Sequence, residues 1–155
     1  MIQIHVDIDN VWIYEKEYGI PFLKDPSFIF AVSLPSMLDI FARHGILATF
    51  FIVGKDLEME SARKFCNLAI KAGHALGNHT YTHRTDFGTL TFEEKQYEIK
   101  NCHNAILNAT GQKPIGFRAP GYYLDQDIIN ILSDLGYKYD SSVLPGYANF
   151  FMRFY

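Results

Sequence analysis

Residues 46–53, Ile-Leu-Ala-Thr-Phe-Phe-Ile-Val, form a continuous apolar run rich in aromatic and β-branched side chains. Such a run does not alternate. It predicts a strand covered on both faces, which in practice means a parallel sheet with helices on either side. The rest of the chain supports this. Residues 2–9 alternate, with Ile2, Ile4, Val6 and Ile8 on one face and Gln3, His5, Asp7 and Asp9 on the other, which predicts strand one. Shorter strands are expected at His74–Gly77, Ile115–Arg118 and Tyr137–Tyr139.

Helical spacing fills the gaps. Helices are expected from Ser33 to His44, from Glu60 to Ala72, from Thr91 to Thr110 and after Asp125, and each stops at a glycine: Gly45, Gly73, Gly111 and Gly136. Thr91 with Glu94 reads as a capping box, and Asp125 as an N-cap. Strands alternating with helices imply βαβ units, and so an α/β protein built on a parallel sheet or barrel. Residues 10–32 interrupt the pattern as a long aromatic insertion, and loops of that length are often functional.

The 155 residues suit one domain. A complete (β/α)8 barrel takes about 200 residues or more, and only five strands are expected here, so the reading is an incomplete barrel that stops mid-domain. The net charge is −3, with no cluster of lysines or arginines, which argues against a nucleic-acid partner. No secretory leader and no run of about 18 apolar residues is seen, so the expectation is a cytoplasmic protein without a membrane span. Cys66 and Cys102 sit among apolar neighbours and read as buried free thiols. Edges and faces left open by an incomplete barrel predict a homo-oligomer, or a partner segment, that covers the gap.

The chemistry begins with His79 and His83, four apart. On a helical turn that spacing brings two imidazoles to one ion, although the same pair could be a hydrogen-bonded loop. Asp7 and Asp9 lie on one face at the C-terminal end of the first strand, where parallel barrels build their active sites. Two close carboxylates repel each other unless a cation or an arginine offsets them. Two histidines and one carboxylate leave a coordination position open, and the second carboxylate can then serve as a base, the division of labour of metal-assisted hydrolysis. Arg118 ends a strand, and its planar fork could hold a carboxylate. The following Pro120-Gly121-Tyr122 turn could present backbone N–H groups to an oxyanion. Asp140 could pair with Arg118 or cap a turn. Trp12 could stack on a sugar or cover the insertion. His103, in mid-helix, reads as solvated.

Taken together, these stretches resemble the polysaccharide deacetylases, the family four carbohydrate esterases. Val6-Asp7-Ile8-Asp9-Asn10 is similar to the family's Thr-Phe-Asp-Asp-Gly, with Ile8 separating the two aspartates. His79-Thr80-Tyr81-Thr82-His83 matches His-Ser/Thr-x-x-His, and Arg118-Ala119-Pro120-Gly121-Tyr122 is similar to Arg-x-Pro-Tyr. The family's last motif, Leu-x-His, is absent. The resemblance implies a distorted TIM-like (β/α) barrel. It implies a divalent metal, zinc first, on Asp9, His79 and His83, and Asp7 as the general base. Arg118 would hold Asp7, Asp140 would hold Arg118, and a backbone N–H of Gly121 or Tyr122 would help the oxyanion. The implied substrate is a carbohydrate bearing N-acetyl groups. Two other readings stay open: hydrolysis of a different non-peptide amide, and a shortened metal-binding chain without turnover.

Overall fold

In a computed structural model, the structure describes residues 3–19, 21 and 25–143. Five strands, β1 (Ile4–Ile8), β2 (Ala48–Ile52), β3 (Ala75–Asn78), β4 (Gly116–Phe117) and β5 (Tyr139–Asp140), form one sheet in chain order. Every pairing is parallel, with Asp7 opposite Phe51, Ile52 opposite Asn78 and Phe117 opposite Asp140. The helices are α1 (Val11–Tyr18), α2 (Leu34–Arg43), α3 (Glu60–Lys71), α4 (Phe92–Thr110) and α5 (Gln126–Asp134). This is the expected α/β architecture, an arc of a (β/α) barrel. Among the described residues, no helix is long and apolar enough to cross a membrane.

Burial explains the arrangement. All five residues of β2 are buried, as its unbroken apolar run requires. The outer faces of β1 to β3 pack with α2 and α3 around Phe50, Ile52, Phe65 and Leu76. A second core under α4 and α5 gathers Ile99, Phe117, Ile128 and Ile131. On the concave face large rings meet glycines. A side chain at Gly77 would lie 2.5 Å from the Phe51 ring, and one at Gly116 would run into Tyr139. The four helix-ending glycines all take positive φ. Thr91 and Glu94 form the capping box, and Asp125 accepts from the Ile128 amide at 2.9 Å. Cys66 and Cys102 are buried and free.

The segment 10–32 departs from expectation. Its first part is α1, capped by Asn10, whose side chain accepts from the Val11 amide. Its last part, Ile29–Ser33, is a π-turn running directly into α2, so Ser33 lies within a helical segment instead of starting one. Pro35 gives the reason. It has no N–H and its ring crowds the preceding turn, and a wider turn relieves both. His103 is also not solvated. It is buried on α4, with Nδ1 3.1 Å from the Tyr137 hydroxyl.

Candidate active site at the strand ends

The strands share one direction, so their C-terminal ends lie along one rim. Asp9 follows β1, His79 follows β3, Arg118 follows β4 and Ser141 follows β5. The ladder continues past the strands. The Gly54 and Lys55 amides donate to the Thr80 and Tyr81 carbonyls, the His79 amide to Ile52, and the Arg118 amide to Asn78. These bonds tie the histidine loop to both neighbouring strand ends.

Asp9, His79 and His83 come together, each offering one ligand atom, and these atoms all lie within 4.8 Å of one another. The convergence is not helical, as the spacing alone suggested. Residues 79–84 form an irregular loop in which Thr80 and His83 adopt left-handed φ of 65° and 50°. The two rings still sit 4.9 Å apart.

Protonation logic sharpens the picture. His79 Nδ1 lies 2.7 Å from the Arg118 carbonyl, which can only accept, so this nitrogen carries the proton. In the neutral ring Nε2 is then a bare lone pair, and it faces Asp9 Oδ1 at 3.4 Å; His83 Nε2 faces the same oxygen at 3.3 Å. Two acceptors cannot face each other in a buried site without a cation or proton between them. The separations exceed the usual 2.7–2.9 Å of a charge-assisted hydrogen bond. They match the about 3.3–3.4 Å that tetrahedral ligands adopt around an ion at about 2.0–2.1 Å. The donor set therefore fits a zinc-type ion. Burial opposes ionisation of Asp9, yet protonated imidazoles at His79 and His83 would outweigh it and hold the carboxyl well below the usual carboxylate range, the same demand for positive charge beside Asp9.

Asp7 stands beside this cluster. Arg118 Nη1 donates to its Oδ1 at 2.7 Å. The guanidinium is anchored in turn by Ser141, with Nε donating to the carbonyl at 3.1 Å and Nη2 to Oγ at 2.7 Å. Nη2 also lies 2.9 Å from His5 Nδ1, and the guanidinium covers the Phe51 ring. The expected Asp140–Arg118 pair is not formed. Asp140 turns to Ser142, accepting from its amide at 2.9 Å and its hydroxyl at 2.6 Å, and Ser142 Oγ accepts from the Ala119 amide. A carboxylate two residues before a serine closes this local turn readily, which leaves Ser141 to hold the arginine. Of the two candidate oxyanion donors, the Tyr122 amide is spent on the Ala119 carbonyl at 3.1 Å, which leaves Gly121.

Trp12 is tied down at its edge. Its indole N–H donates to Asp56 Oδ1 at 2.7 Å, and Lys55 sits over its ring. Together with Pro26, Lys55, Asp56, Glu58 and Met59 it lines a cavity of about 280 Å³. Asp56 escaped the sequence reading. It is 1% exposed and also accepts from Asn10 Nδ2 at 2.9 Å, so it holds the residues that follow Asp9. Burial pushes its carboxyl up to about 6, against the pull of the Trp12 and Asn10 hydrogen bonds. Asn78 was missed as well. Fully buried, it donates to the Ile99 carbonyl and the Tyr137 hydroxyl and accepts from the Thr80 amide. Its place directly before His79 was the only signal available.

A rim of this kind, with an Asp-His-His cluster next to an arginine-held aspartate at the ends of parallel strands, has the layout of a hydrolase active site. The polysaccharide deacetylase family pattern matches residues 26–139, and the chain belongs to that family. A peptidoglycan deacetylase-like protein of Gibberella zeae is 33% identical over 149 residues, 92% of this chain and 43% of that one. A peptidoglycan deacetylase of Helicobacter pylori is 28% identical over 148 residues, covering 93% and 50%. The chain thus spans about half the length of these curated relatives. Among solved structures, a family 4 carbohydrate esterase from Streptomyces lividans in complex with acetate aligns with a TM-score of 0.68 at 21% identity, over 90% of this chain and 60% of that one. A family 4 pseudoenzyme from Bacillus anthracis aligns at 0.69 and 23%, over 90% and 42%. At these identities the likeness concerns the fold.

Proposed function

We propose that this chain carries the metal and base half of a carbohydrate N-deacetylase site, hydrolysing the acetamide of an N-acetylated sugar to acetate and free amine. The observation that carries the reading is the juxtaposition of the Asp9-His79-His83 cluster with the Asp7–Arg118 pair. Asp9, His79 and His83 would hold the ion, zinc first. When bound, such an ion supplies Lewis acidity toward the attacking water and the amide carbonyl.

The chain's own residues do the rest. Asp7 takes a proton from the attacking water, and Arg118 keeps its carboxylate in one orientation for that transfer. The proton held on Asp7 can then pass to the leaving amine nitrogen, which balances water plus amide against acetate plus amine. Gly121 offers its N–H to the carbonyl oxygen as it gains charge. Trp12 presents a ring beside the rim for a sugar face. The test is acetate release from acetylated chito-oligosaccharides and nucleotide-linked N-acetyl sugars, with and without zinc. Zinc-dependent acetate supports the reading. Zinc uptake without acetate from any of them favours a metal-binding chain without turnover. A zinc-dependent amidase active on other non-peptide amides but not on sugars would move the substrate and keep the chemistry. The outer strands of the described sheet, β1 and β5, support a further proposal of self-association, which light scattering would reveal.

A further inference from the structure

The loop joining the two histidines does not hold its own shape. Its residues lie outside helix and strand, and two non-glycine residues in it take left-handed φ. Such a backbone persists only where its surroundings over-determine it. Three consecutive amides of the loop need acceptors, and buried side chains supply them. Asn78 takes the Thr80 amide. Glu98, which reaches across from α4, takes the next two: its Oε2 accepts from the Tyr81 amide at 2.9 Å and the Thr82 amide at 2.7 Å, and its Oε1 accepts from Thr82 Oγ1 at 2.6 Å.

Glu98 belongs to the buried stripe of α4, which runs through Lys95, Ile99, Cys102 and Ile106, and it is 4% exposed. A carboxylate on such a stripe is costly unless its oxygens are satisfied. Among the described residues Glu98 forms no ion pair, and its bonds all go to the histidine loop. We propose that Glu98 is the positioning residue that sets the separation and aim of His79 and His83, and through them the affinity of the site for its ion. The inference rests on the metal reading above for its second half only.

The carboxylate acts as a bidentate acceptor, which makes a chemical distinction possible. In Glu98→Gln the amide oxygen can keep both backbone N–H groups, and the side-chain NH2 can donate to Thr82 Oγ1, which is also an acceptor. In Glu98→Met the length is kept and every acceptor is lost. Lys95→Met serves as the control. Lys95 is buried on the same stripe, but its ammonium pairs with Asp125 at 2.6 Å and not with the loop.

The experiment combines amide hydrogen exchange on the zinc-free protein with zinc titration and thermal melting. Glu98→Met is expected to speed exchange at Tyr81 and Thr82 and to weaken zinc binding about 10- to 100-fold, the usual loss when an outer-shell partner of a metal site is removed. Glu98→Gln is expected to stay near wild type in both. Lys95→Met is expected to melt earlier while binding zinc as wild type does. Unchanged exchange in Glu98→Met, wild-type zinc affinity in Glu98→Met, or a Glu98→Gln protein as weak as Glu98→Met would each overturn the proposal. If the wild type itself takes up no zinc, the proposed function fails, and exchange at Tyr81 and Thr82 alone decides the role of Glu98.

Discussion

Arg118 donates to Asp7 across 111 positions of sequence, and two contacts from Ser141, the residue after β5, fix the guanidinium that makes this bond. The carboxylate proposed as the base is therefore oriented from three strand ends at once. Asp7→Asn is expected to lower kcat for acetate release by about 10²–10⁴ with zinc binding retained, the usual contribution of a general base. Arg118→Lys replaces a fork with a point charge, so it is expected to lower kcat as well, because a lysine cannot hold Ser141 and Asp7 together. Acetate at the wild-type rate from Asp7→Asn would remove Asp7 as the base.

Zinc is expected to stabilise the folded chain through Asp9, His79 and His83. At 100 times its dissociation constant, an ion that binds only the folded state adds about 2.7 kcal/mol. Thermal melts with zinc and with EDTA should separate clearly for the wild type and coincide for His79→Ala and Asp9→Asn. A melting shift of wild-type size in His79→Ala would place the ion elsewhere.

Asp56 makes stability depend on pH. Its carboxyl sits at about 6 in the folded chain against 3.8 as the ordinary value, raised chiefly by burial. Below about pH 4 both states hold the proton and nothing is lost. As pH rises from about 4 to 6 the unfolded chain ionises first, so the folded state loses stability; above 6 the loss is complete. The gap between the two values, at about 1.36 kcal/mol per pH unit, makes the full loss roughly 3 kcal/mol. Denaturation of zinc-free Asp56→Asn and wild type should therefore show the variant gaining relative to wild type between pH 4 and 7. Parallel pH profiles for the two proteins would show that Asp56 titrates normally.

Tyr137 joins the histidine loop to the second core. Its hydroxyl takes a hydrogen bond from Asn78 at 2.7 Å and lies 3.1 Å from His103 Nδ1. Tyr137→Phe strips a partner from both buried groups and is expected to cost about 1–3 kcal/mol in urea denaturation. A midpoint unchanged from wild type would mean that the network closes in another way.

Much of the architecture was written in short-range pattern. The apolar run at 46–53, the alternation over the described part of 2–9 and the glycine helix stops follow from periodicity and backbone sterics, and they appear as β2, β1 and the positive-φ glycines after α2 to α5. Asp7 and Asp9 could be placed together because a strand repeats every two residues. The helix inside 10–32 was hidden, because eight residues capped by Asn10 carry little periodicity. Asp56 and Glu98 were hidden for another reason. A charged residue in a helix or turn reads as solvated until something shows what lies across from it.

The amino-acid sequence by itself determined the parallel α/β framework, the pair of aspartates on one strand end and the presence of two histidines within one turn of chain. Only the tertiary structure decided which carboxylates face which donors. It gave Arg118 to Asp7, turned Asp140 away to Ser142, and set Asp56 and Glu98 behind the histidine and aspartate segments. Local pattern reports which face a side chain lies on. Its hydrogen-bond partner comes from another strand or helix tens of residues away, and burial makes that choice binding, because an unpaired polar group inside the molecule costs more than the chain can spare.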